Sequence, residues 1–300
     1  MNLDEWRRLG TTVQVGGEAV FVVDSPAENE AEYPPLLVIH GFPTSSVDYA
    51  PVLGALRSRR RVVLFDLPGF GLSAKVDRPY SIGSSADATA GVIDALDLTE
   101  FDLLTHDMGD TVGGEILARH LEGELRADGK PVSIGRRVVT NGSIYLEMAQ
   151  LTPAQHLLWE APDERLPDEI SPDASSLAAG LAATMAPAES VASNPDPEDL
   201  LAAAESVTRD GGALLLPRLI RYLSDRRENE ARYTGAIETH PSPLGIVWGA
   251  EDPIAVVAMA DRLARRRSDA TLEVLDGIGH YPSIEAPEVF ATAVLRSLNG

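Results

Sequence analysis

The stretch Phe101-Asp-Leu-Leu-Thr-His-Asp-Met-Gly-Asp-Thr-Val-Gly-Gly-Glu-Ile-Leu117 constrains this chain more than any other. It passes from a buried apolar strand into a helix with only a sharp turn between them. Asp107 sits at the tip of that turn, with Thr105 two residues before it and Gly109 two residues after it. This is the small-x-nucleophile-x-Gly spacing of a nucleophile elbow, in which small flanks let a strained turn close. A carboxylate therefore occupies the nucleophile position. An ordinary aspartate has a pKa of about 3.9, is ionised at neutral pH and needs no base to become nucleophilic. Its attack on an ester or amide gives a reactive anhydride, whereas attack on a saturated carbon bearing a leaving group gives a stable alkyl ester of the protein. Epoxides and alkyl halides suit that chemistry.

Two further segments supply partners in a consistent order. Leu244-Gly-Ile-Val-Trp-Gly-Ala-Glu-Asp-Pro253 reads as a strand running into a turn that presents Asp252, with Glu251 as the less favoured acid and a plain turn residue as the bland reading. Thr271-Leu-Glu-Val-Leu-Asp-Gly-Ile-Gly-His-Tyr-Pro282 places His280 after another strand, where it is positioned to activate water. Upstream, the run Leu36-Leu-Val-Ile39 followed by His40-Gly-Phe-Pro43 reads as a strand and loop offering the N–H of Phe42 to an oxyanion. The N–H of Met108, directly after the nucleophile, is the second donor. His40 and His106 are expected to hold loops by bonding backbone, and Asp66 in Asp-Leu-Pro-Gly-Phe-Gly to organise its own turn.

Along the chain, Thr11–Val15 and Ala19–Val23 around Gly16-Gly17 predict an edge hairpin. Strands are expected at Leu36–Ile39, Arg61–Phe65, Phe101–Thr105, Arg137–Thr140, Leu244–Trp248 and Leu272–Leu275. Helical patterns lie between them at Ser84–Leu96, Thr111–Leu121, Ala255–Arg267 and Pro287–Leu298. The alternation predicts an α/β fold, a doubly wound and mainly parallel eight-stranded sheet. Between 143 and 239 the chain turns rich in Ala, Pro and acids, with short helices such as Pro197–Arg209 and Ala213–Ala231. The expected organisation is a core of residues 1–142 and 240–300 with an inserted helical cap, 143–239, that excludes water and shapes the pocket. The basic runs Arg57-Ser-Arg-Arg-Arg61 and Arg265-Arg-Arg267 read as solvated helix ends.

Four motifs carry a family resemblance. His40-Gly-Phe-Pro43, Asp66-Leu-Pro-Gly-Phe-Gly-Leu-Ser73, His106-Asp-Met-Gly-Asp110 and Gly279-His-Tyr-Pro282 resemble the epoxide hydrolase and haloalkane dehalogenase branch of the α/β-hydrolase superfamily. Thr140-Asn-Gly-Ser-Ile-Tyr145 and Tyr222-Leu-Ser-Asp-Arg-Arg227 resemble the mesoderm-specific transcript group and its bacterial relatives. The branch implies a triad of Asp107, Asp252 and His280. Haloalkane dehalogenases bind the departing halide with a Trp after the nucleophile and a Trp or Asn after His-Gly. Here Met108 and Phe42, without side-chain N–H groups, stand at those positions, leaving Asn141 and Trp159 as substitutes. In epoxide hydrolases cap tyrosines protonate the leaving oxygen. Tyr222, 30 residues before Asp252, is the first candidate, and Tyr145 the second; Tyr222, in Leu219-Ile-Arg-Tyr-Leu223, equally fits a core position. Phe42, Met108, Ile144, Trp159 and Leu223 are the expected pocket lining.

Composition narrows the remaining classes. The net charge of −21 disfavours nucleic acid and anionic membranes as partners, because both are held by Lys and Arg, and reads first as a solvated acidic surface. With no cysteine, thiolate chemistry and disulfides are excluded. No apolar run approaches the roughly 20 residues of a membrane span and no signal-peptide core is evident, so a cytoplasmic location is the default expectation. The reading is a hydrolase forming a covalent alkyl ester, opening epoxides to vicinal diols without metal or organic cofactor. A haloalkane dehalogenase and a non-catalytic, partner-binding member of the fold are the alternatives. The expected partner is a small apolar epoxide or haloalkane, and a homodimer is left open.

Overall fold

The structure is a computed structural model that describes residues Met1–Gly300. It opens on helix α1 (Leu3–Leu9), whose start is fixed by a reciprocal pair of bonds between Asn2 and Glu5 and which buries Trp6. Strands β1 (Thr11–Val15) and β2 (Glu18–Ser25) form the expected hairpin. Strands β3 (Leu36–Ile39), β4 (Val62–Phe65) and β5 (Glu100–His106) follow, with helices α2 (Leu53–Leu56) and α3 (Ile82–Ala95) in the connections. Helix α4 (Met108–Leu121) leaves the end of β5 directly. A two-rung hairpin, β6 (Arg126–Ala127) and β7 (Lys130–Pro131), precedes β8 (Ser133–Thr140), and β9 (Leu244–Gly249) and β10 (Thr271–Leu275) complete the sheet.

The order β1-β2-β4-β3-β5-β8-β9-β10 makes eight strands, parallel from β4 onward and antiparallel only where β2 meets β1 and β4. Strand periodicity divides the core into two layers. Leu37 and Ile39 of β3 pack with Val92 of α3 and Val112 and Ile116 of α4, while Leu36 and Val38 face Phe290 and Val294 on the other side. The β3, β4 and β9 strands are buried from end to end, as expected of parallel strands covered on both faces.

Between β8 and β9 the chain leaves the sheet and forms α5 (Pro153–Glu160), α6 (Ala174–Ala182), α7 (Pro197–Thr208), α8 (Leu216–Leu219) and α9 (Tyr222–Thr239). The helix expected over Ala213–Ala231 is broken. Asp210 and Gly211 take positive φ in a tight turn, Pro217 opens α8 where its missing N–H does no harm, and α9 begins only at Tyr222 and continues to Thr239. After β9 come α10 (Ala258–Arg266), α11 (Pro282–Glu285) and α12 (Pro287–Asn299). Helix α10 starts three residues later than its pattern suggests, because Asp252 ties up the Ile254 and Ala255 N–H groups in a turn. Arg60 is not solvated. Buried beside β4, it pairs with Asp102 at 2.6 Å and bonds Asn299, joining distant parts of the chain. No helix is long and apolar enough to cross a membrane.

Candidate active site

All the residues that converge on Asp107 from the core lie at the carboxyl ends of parallel strands, where an open α/β sheet presents its crevice. Asp107 joins β5 to α4 at φ 51° and ψ −119°, a left-handed backbone that costs energy in a residue with a side chain. The turn closes because Gly109 has no Cβ; an added one would stand 2.4 Å from the Ile39 carbonyl oxygen. Gly41 is needed for the same kind of reason, since a Cβ there would meet the Cβ of Asp107 at 2.6 Å. The Asp107 N–H donates to Thr140 O, and the Phe42 N–H donates to Asp107 Oδ2 at 2.9 Å. The Met108 N–H opens α4 beside it, at the positive end of the helix.

His280 arrives on the loop after β10. Its Nδ1–H donates to Asp252 Oδ2 at 2.8 Å, which leaves Nε2 facing Asp107 Oδ1 at 4.0 Å. Asp252 is held by four donors: the N–H groups of Ile254 and Ala255 on Oδ1, and Asn141 Nδ2 and His280 on Oδ2. Burial works against a charged imidazole at His280, but the charges of Asp252 and Asp107 outweigh it and hold the pKa up at about 9. The loop itself is organised by Glu285, buried in α11, whose carboxylate accepts the N–H groups of Gly279, Tyr281 and Ala186. Nothing in the motif reading pointed to Glu285, although Pro282 marks the start of its short helix. His40 bonds Gly41 O and the Leu67 N–H, and burial lowers its pKa; His106 donates to His280 O and is pushed down to about 4, first by burial and then by the neighbouring His280. Both serve the loops, as expected, and Asp66 gathers Ser46 and the Leu72 N–H around its own turn.

Beside His280 lies a cavity of about 440 Å³ between the core and α5, α6 and α8, lined by Phe42, Leu158, Leu177, Leu181, Leu216, Ile254, Thr184, His280 and Tyr281 among others. Of the expected lining only Phe42 is there. Met108, Ile144 and Leu223 are buried in the core layer instead, and the Trp159 indole turns away to donate to Ser224. Asn141 does not offer its amide to the cavity, because both of its N–H contacts go to Asp252 and Gly279 O.

The tyrosines separate in the same way. Tyr222 heads α9 with its ring 5.7 Å from that of Phe42; burial raises its pKa first and the Asp107 charge adds to this. Tyr145 is a correction: its hydroxyl donates to Glu238 at 2.8 Å and Arg262 lies over its ring, so it points to the outer face of α9 rather than to Asp107. The phenol that lines the cavity is Tyr281, next to His280 in a motif already singled out for its histidine. No grouping of three or more His, Cys, Asp or Glu has the spacing of a metal site.

A parallel α/β sheet with an elbow, a backbone amide on the elbow carboxylate and an acid–histidine pair at its carboxyl edge defines a hydrolase of the α/β type. Residues 36–293 match the alpha/beta hydrolase family, and the chain belongs to that family. It is 34% identical over 302 residues to the putative hydrolase LipZ of Mycobacterium tuberculosis, covering 98% of this chain and 97% of that protein. It is also similar to the mesoderm-specific transcript homolog protein of Bos taurus, 29% identical over 311 residues, 99% of this chain and 88% of that one. Among solved structures, an enol-lactonase from Burkholderia xenovorans LB400 superposes with a TM-score of 0.74 at 18% identity, over 97% of this chain and 100% of the other, a likeness of fold.

Proposed function

We propose that this hydrolase opens epoxides to vicinal diols through a covalent ester on Asp107. The observation that carries the reading is the placement of one carboxylate: Oδ2 on the Phe42 amide, Oδ1 toward His280 Nε2, at a strained elbow. Asp107 Oδ1 attacks the less hindered epoxide carbon in line with the breaking C–O bond, and Tyr222 hydrogen-bonds the oxygen as it takes up charge. The ester carbonyl then lies where Oδ2 already sits, so the Phe42 and Met108 N–H groups meet the oxyanion that forms when water attacks.

His280 gains its role from the first step. With Asp107 ionised, its pKa near 9 makes it an imidazolium at neutral pH; esterification removes one of the negative charges that raise it, the ring gives a proton up to solvent, to be taken back when Asp107 ionises again, and the neutral imidazole becomes a base for water. Its proton passes to the alkoxide expelled when the tetrahedral intermediate collapses. Residues 143–239 act as a cap whose apolar wall selects an apolar substrate. The haloalkane reading uses the same triad but lacks halide donors: Phe42 and Met108 have none, and the side-chain N–H groups of Asn141 and Trp159 are engaged elsewhere.

A panel of terminal epoxides and haloalkanes, with diol and halide measured separately, tests the proposal. Diol formation that falls about a hundredfold in Tyr222→Phe, with any halide release changed far less, is the expected result, since losing one hydrogen bond to a developing anion typically costs about 3 kcal/mol. Halide release with no diol from any epoxide contradicts it.

A further inference from the structure

Tyr281 lines the cavity yet has no firm bond of its own. Its hydroxyl is 3.5 Å from the Phe42 carbonyl oxygen, at the limit of a hydrogen bond, and its ring stands edge-on to His280 at 4.9 Å between centroids. The same Phe42 residue gives its N–H to Asp107, so the phenol lies beside the nucleophile across a single residue. Behind Tyr281 sits Thr44, fully buried, whose hydroxyl lies against the phenol and bonds Asp48 Oδ2 at 2.5 Å. Asp48 is also buried, and its Oδ1 has no partner at all. Nothing in the mechanism so far uses these three side chains.

We infer that Tyr281 is the second proton donor to the epoxide oxygen and that Thr44 and Asp48 form the relay that restores its proton. The inference rests on the epoxide reading and names a donor that reading lacks once Tyr145 is removed. In the forward step the Asp107 Oδ1–carbon bond forms, the epoxide C–O bond breaks, and its electron pair takes the proton of Tyr281. Thr44 passes its hydroxyl proton to Tyr281 and receives that of the Asp48 carboxyl. Hydrolysis of the ester closes the cycle: one proton of the water reaches the product through His280, and the other, left on the regenerated Asp107 carboxyl, returns the relay to its starting state.

A direction is built into this chain because Thr44 has one proton to give. With Asp48 protonated, Thr44 donates toward Tyr281; with Asp48 ionised, Thr44 donates to the carboxylate and the phenol loses its supply. Burial pushes the Asp48 pKa up to about 8, Thr44 and the His280 cation pull it down, and the charges of Asp66 and Asp107 raise it further; the buried Tyr49 phenol is its other titratable neighbour. Donation therefore holds below about pH 8 and fails above it.

The experiment is a single-turnover measurement by intact mass in the His280→Gln background, where the ester accumulates and His280 no longer titrates. Styrene oxide and phenethyl bromide are the two probes. Adding Tyr281→Phe is expected to slow ester formation from the epoxide by about tenfold or more, with the bromide reaction within about twofold. Asp48→Asn is expected to abolish the alkaline fall of the epoxide rate, whose midpoint in this background lies at or above about 8 because the lowering charge of His280 is gone. A packing role for Asp48 would change the rate at every pH and leave that fall in place. Ester formation from the epoxide that Tyr281→Phe leaves unchanged overturns this inference alone; no ester from either probe with Tyr281 intact brings down the Asp107 reading with it.

Discussion

The sheet edge and the helical stretch above it are built to different tolerances. At the edge, Asp252 is gripped by four donors and the His280 loop by two N–H bonds to Glu285, while Asp107 holds a costly backbone angle that the surrounding glycines permit. Across the cavity, the wall from α5 and α6 is made of Leu158, Leu177 and Leu181 on helices of eight and nine residues, with Leu157 on the same helix 71% exposed. The edge fixes atoms to within a hydrogen bond; the wall supplies only shape and apolar surface. Changes at the edge should therefore destroy chemistry, and changes in the wall should alter which substrate is preferred.

The largest effect expected is from Asp107→Ala, which removes the attacking atom and should reduce turnover by about ten-thousandfold or more while leaving the thermal melting point close to that of the parent. Retention of near-normal rates would place the chemistry elsewhere. Asp252→Ala comes next. It takes away the charge and the hydrogen bond that raise His280, so the imidazole pKa, read by NMR titration, should fall from about 9 toward or below its ordinary value. Ester hydrolysis should slow by about a thousandfold as the ring loses its orientation, with ester formation much less affected. An unshifted His280 titration would break the pairing.

At the weak end, Leu177→Ala in the wall should change kcat/KM by no more than about tenfold for a small epoxide and should shift preference toward bulkier ones. A loss as large as that from Asp252→Ala would show that the wall is as tightly specified as the edge.

The same contrast governs what could be read from sequence. The elbow was legible because a period-two apolar run changes to a helical one at a single residue, and Asp252 and His280 because each lies in the short loop after a strand. Arg60 was not, since its partner Asp102 lies 42 residues on and nothing local marks a buried cation. Tyr145 was misassigned and Tyr281 passed over for one reason: sequence places a tyrosine on an element but not the direction of its ring. Tyr145 turns outward to Glu238, and Tyr281 turns into the cavity. In the helical stretch, prolines and short amphipathic runs announced helices without their limits, so the Ala213–Ala231 pattern concealed the break at Pro217 and the start of α9 at Tyr222. Of the lining residues expected from motif proximity, Met108, Ile144 and Leu223 were accordingly buried in the core.

The central claim, that Asp107 is the nucleophile, is tested most directly by a single turnover of an epoxide in water enriched in heavy oxygen, with enzyme in excess. The account predicts that the first diol carries only ordinary oxygen, one atom of it from Asp107, and that peptide mapping finds the heavy atom in the Asp107 carboxyl. Heavy oxygen in the first diol, with Asp107 unlabelled, would show that water attacks the epoxide directly and would contradict it.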